Sequence, residues 1–95
     1  MEFDIGQVVI SKAGRDNSDA FIIYDIHGDY LYLVDGASRT LERPKKKKRK
    51  HVQPTKTINF VLQEAILHKK YLKDADFRFA LKDFKERKRE VNSNG

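Results

Sequence analysis

Cysteine and tryptophan are absent from this 95-residue chain, and methionine occurs once. Without cysteine there is no disulfide, no thiolate metal ligand and no thiol nucleophile, which fits a reducing compartment. No run of eighteen apolar residues occurs, so no membrane-spanning helix is expected. The opening MEFDIGQVVI has neither the basic start nor the apolar stretch of a signal peptide, so the expected location is cytoplasmic. Basic side chains are scarce in the first part of the chain and abundant in the second. Residues 1–38 carry two basic and seven acidic side chains, a net of −5. Residues 39–95 carry eighteen and seven, a net of +11, and the two parts sum to +6. Such asymmetry points to a polyanion, nucleic acid before an anionic membrane; the plain alternative is a solvated charged surface.

Several chemistries lack their residues. His27, His51 and His68 lie 24 and 17 residues apart, which is no metal-ligand spacing. Neither a G-x-x-x-x-G-K phosphate loop nor a G-x-S-x-G nucleophile turn occurs. No catalytic residue, metal or cofactor is expected, and the chain does not read as an enzyme.

What is present divides into two parts, near 1–54 and 55–95. GQVVISK (6–12), AFIIYDIH (20–27) and YLYLVD (30–35) alternate as short strands do. Gly28-Asp29 reads as a two-residue hairpin turn, and Asp35-Gly36 as a second one leading into a strand SRTLER (38–43). A fifth strand is expected around 49–52, with Pro54 closing the strand region. Strands this short and close-spaced suggest a small antiparallel barrel or sandwich. From Thr57, a candidate N-cap, the spacing turns helical through Ile58, Val61, Leu62, Ala65 and Ile66. A break near 71–73 precedes Asp74, a second candidate cap, and a helix with Phe77, Ala80, Leu81 and Phe84 on one side. On that helix Arg78, Lys82, Lys85 and Arg89 fall within roughly a 60° sector. They form either a second phosphate-tracking face or an ordinary solvated one.

The densest feature is PKKKKRK, where Pro44 precedes six basic residues, Lys45 to Lys50. It can be a nuclear import address, a grip on phosphates, or a bare solvated loop. Its neighbours favour the grip. GQVVISKAGRD (6–16) has a Gly, alternating apolar residues and a second Gly eight positions on, opening a basic loop. With VDG (34–36), LERPKKKKRKH (41–51) and QPT (53–55), it resembles a bacterial group of KOW-domain RNA-binding proteins. That group in turn resembles the KOW-type large-subunit ribosomal proteins of archaea and eukaryotes. In this chain the loop after Gly14 reads Asp16-Asn17-Ser18-Asp19, without the further glycine and lysine usual there.

The resemblance implies a mainly β chain with a C-terminal α part: a five-stranded SH3-like (KOW) barrel followed by two short helices. It implies ribosomal RNA as partner, with ribosomal proteins nearby and a monomer when free. The RNA-binding set is then Lys12, Gly14, Arg15, Arg39, Arg43, Lys45, Lys46, Lys47, Lys48, Arg49 and Lys50. Arg78, Lys82, Lys85 and Arg89, from their spacing, are the candidate secondary face. Tyr24 reads as packing, whereas Tyr30 and Tyr32 suit either packing or base stacking. A tyrosine cage for a cationic peptide, on an SH3-like protein-binding module, is the alternative function.

Overall fold

The computed structural model describes residues 2–15 and 17–94, with side chains as far as Lys88. Five strands, a 3-10 turn and two helices follow one another. They are β1 (Gln7–Ser11), β2 (Ala20–His27), β3 (Tyr30–Val34), β4 (Lys45–Lys48), the turn Arg49–His51, β5 (Val52–Ile58), α1 (Phe60–Leu67) and α2 (Asp74–Asn94). The strands form one antiparallel sheet in the order β4-β3-β2-β1-β5. The β2–β3 hairpin closes through Gly28-Asp29 as its sequence suggests, with Gly28 at φ +57° and His27 opposite Tyr30. Pairing ends at β4 and β5, so the sheet is open and does not close into the expected barrel.

Both faces of the sheet are buried over most of their length. On one, Val8, Ala20, Ile22 and Val34 pack with Leu62 of α1 and Phe77 and Leu81 of α2. On the other, Val9, Phe21, Ile23, Leu31, Leu33 and Val52 pack together, with Phe3, Ile5 and Ile26 beside them. This explains why β2 begins with four consecutive buried residues before alternation sets in. A strand covered on both sides has no polar face. Tyr24 joins the helical side, its ring edge-on to Phe77 with centroids 6.3 Å apart.

Several boundaries differ from the sequence reading. Residues 38–43 form no strand, because Asp35 holds residues 37–39 in a turn. Its Oδ1 accepts from the N–H groups of Ala37 and Arg39, and its Oδ2 from the Ser38 hydroxyl. The fourth strand is instead the lysine run itself, Lys45–Lys48, paired along β3 from Leu33↔Lys45 to Tyr30↔Lys48. Pro54 does not end the sheet. It lies inside β5 opposite Val9, which is tolerable because β5 is an edge strand.

The cap of α1 is Asn59, not Thr57. Its Oδ1 accepts from Leu62 N–H at 3.0 Å, while Ile58 is still paired with Gln7. At the start of α2 the reaching-back carboxylate is that of Asp76, which accepts from Lys73 N–H at 2.8 Å. Asp74 turns outward from that role and accepts from Leu41 N–H, tying the 35–44 loop to the helix. The second helix is also not short: it has 21 residues, which at 1.5 Å per residue is about 31 Å.

Candidate nucleic-acid interface

A strand turns alternate side chains to opposite faces, and the lysine run obeys that rule. Lys46 and Lys48 point to solvent, whereas Lys47 points inward and is only 9% exposed. Its ammonium donates to the Ala13 carbonyl at 2.7 Å, and that carbonyl also accepts from the Ser11 hydroxyl. In a flat sheet the strands bearing these groups would lie three spacings, or about 14 Å, apart. One lysine spans the gap, so coiling of the sheet brings β4 against the loop after β1. Lys47 is a structural clasp and not a free phosphate contact. Lys47→Ala is therefore expected to cost about 1.5–3 kcal/mol, the range for a hydrogen bond to a charged group. Lys46→Ala and Lys48→Ala should stay within about 0.5 kcal/mol, as surface changes do. Urea denaturation of the three variants measures the contrast, and equal effects would remove the clasp.

The clasp holds the glycine loop near the basic edge. Gly14 has φ +85°, and its carbonyl accepts from Asn17 N–H. Lys12 donates its backbone N–H to His51, at the end of the 3-10 turn, while its side chain and that of Arg15 are exposed. Asp16 lies outside the described residues.

Of the other expected contacts, Arg43 and Lys50 are exposed, and Arg39 and Lys45 are half-buried. Arg49 is partly committed. Its Nε donates to the Gly28 carbonyl at 2.8 Å, and its guanidinium lies 5.7 Å from the Phe3 ring centroid.

Tyr30 and Tyr32 share the outward face with Lys46 and Lys48, as cross-strand partners Tyr30↔Lys48 and Tyr32↔Lys46. The Lys46 ammonium sits 4.4 Å from the Tyr30 ring centroid and that of Lys48 6.0 Å. His27 braces Tyr32 edge-on at 5.4 Å and is itself held by Asp25, Nε2 to Oδ2 at 2.7 Å. Two rings and two exposed cations thus alternate on a part of the sheet that the helices leave uncovered. The juxtaposition needs the β3–β4 register. The sequence offered no sign of it, because four identical lysines carry no period-two signal.

The α2 stripe stands differently. Arg78 donates to the Gly36 carbonyl at 2.6 Å, so it fastens the helix to the 35–39 turn. Lys82 and Lys85 line a hollow to which Asp19, Asp35 and Glu86 also contribute, so acidic side chains share it with them. The side chain of Arg89 lies outside the described residues. A groove of about 690 Å³ lies away from the basic edge, between β5 and the helices. Thr55, Thr57, Phe60, Val61, Ala80 and Phe84 contribute to its walls.

Among the described residues no three His, Asp or Glu side chains gather as a metal group, and no helix is long and apolar enough to cross a membrane. No family model and no curated protein matches the chain.

Proposed function

We propose that the protein binds RNA through the edge formed by β4 and the Gly14 loop, and that the RNA is ribosomal, met in the cytoplasm on the ribosome or during its assembly. The observation that carries this reading is the split within the lysine run. Lys47 anchors the edge from inside, so that Lys46 and Lys48 present their charges from a rigid strand beside two tyrosines. Lys12, Arg15, Arg43 and Lys50 are exposed as well and add to the positive charge. Cations held in place attract phosphates without the ordering cost that a free tail meets. The resemblance of residues 4–56 to KOW-domain RNA-binding proteins supports the same partner, ribosomal in kind.

A cage for a cationic peptide is the weaker reading of this face. The position over Tyr30 is already taken by an ammonium of the chain itself, and more cations line the edge.

The test is a salt series with fragments of ribosomal RNA. Four to six neutralised phosphates give a log K against log[salt] slope of about −3 to −5. Lys46→Ser with Lys48→Ser should make the slope shallower by about 1.5 and weaken binding roughly ten-fold at 0.1 M salt. Lys47 is left in place, so the fold is kept. Unchanged affinity and slope in the double variant would refute the proposal.

A further inference from the structure

We infer that the segment of RNA taken by this edge is unpaired, with one base stacked on Tyr30 and the backbone running past Lys46 and Lys48. The inference rests on the RNA-binding reading and narrows it to a class of ligand.

Phosphate attraction alone would need only the lysines. The tyrosines are surplus to a duplex contact, because a sheet face cannot enter the deep, narrow major groove of A-form RNA. Bases that have left the stack, by contrast, are held on aromatic side chains, and every base has a face to offer.

The geometry distinguishes the two rings. Over Tyr30 lie the Lys48 ammonium, 6.0 Å from the ring centroid, and, nearer, that of the exposed Lys46 side chain at 4.4 Å. A base approaching that face displaces the nearer ammonium, and the ammonium is then within reach of the phosphate attached to the same nucleotide. The ring is therefore a site whose present occupant becomes a second contact. Tyr32 is differently placed: His27 abuts its ring and Asp25 stands behind His27, putting a carboxylate where a phosphate would be repelled. The backbone consequently passes on the Lys46–Lys48 side, and Tyr30 carries the stacked base.

Intact protein titrated with an unstructured pyrimidine-rich oligoribonucleotide tests this, against the same strand annealed to its complement. The chain has four tyrosines and no tryptophan, so tyrosine fluorescence reports stacking directly. The single strand should bind more tightly than the duplex and quench the fluorescence. Tyr30→Leu should reduce single-strand affinity about 5-fold to 150-fold while leaving duplex affinity unchanged. Tyr30→Phe, which keeps the ring, should restore single-strand binding.

Equal binding of both forms, with Tyr30→Leu indistinguishable from the wild type, would overturn the stacking site. The lysine-dependent RNA contact would then still stand if Lys46→Ser with Lys48→Ser weakened both complexes. No lysine effect on either form would remove the RNA reading and this inference together. The comparison of single strand with duplex needs no variant, so it decides the matter even if Tyr30→Leu does not fold.

Discussion

Gly36→Ala should lose about 2–5 kcal/mol of stability, a large share of the roughly 5–14 kcal/mol expected for a chain of this length. Two independent costs combine. Gly36 has φ +80°, where a residue with a Cβ costs about 1–2 kcal/mol. The added carbon would also fall inside contact distance of the Asp74 carbonyl oxygen and within 2.9 Å of Arg78 Cγ. The first turn of α2 would have to move, and forced repacking typically costs about 1–3 kcal/mol. The movement would also strain the Arg78 bond to the Gly36 carbonyl.

Gly28 supplies the control. It too has positive φ, +57°, but nothing lies within 4 Å of its would-be Cβ, so Gly28→Ala carries only the conformational cost. Thermal melts followed by circular dichroism should place Gly36→Ala roughly 10 °C or more below the wild type, with Gly28→Ala between them. Similar midpoints for the two variants would show that the helix does not rest on Gly36.

Phe77→Ala is expected to cost about 3–5 kcal/mol, the range for removing a buried phenylalanine side chain. The ring is fully buried in the cluster shared by the sheet and both helices, and it packs edge-on against Tyr24. Its loss leaves a cavity where β2 meets α2, so sheet and helices should weaken together in one cooperative transition. Denaturant unfolding followed at once by far-ultraviolet dichroism and tyrosine fluorescence checks this. Two separated transitions, the sheet outlasting the helices, would mean that 55–95 is an appendage.

Much of this arrangement is legible in one dimension. The hairpin at Gly28-Asp29 follows from a glycine between two runs rich in β-branched and aromatic residues. Phe77 and Leu81 recur at helical spacing and are buried, with Ala80 and Phe84 half-buried beside them. Local chemistry decides such features, and local chemistry is what a sequence displays.

Other features had two acceptable local answers. Thr57 and Asn59 can both cap a helix, and the choice fell to Asn59 because β1 keeps Ile58 in the sheet. Residues 38–43 have the composition of a strand, yet Asp35 holds the amide of Arg39 in a turn and Asp74 takes that of Leu41.

The lysine run shows the division most clearly. The sequence by itself determined that a dense positive charge follows the first three strands and that no metal-ligand or nucleophile pattern accompanies it. Only the tertiary structure decided that four of those lysines form an edge strand, because identical residues cannot reveal a period of two. Pairing with β3 imposes that period from outside. It turns Lys47 inward to hold the Gly14 loop and sets Lys46 and Lys48 outward beside Tyr30 and Tyr32, since a strand's two faces exist only once it has a neighbour.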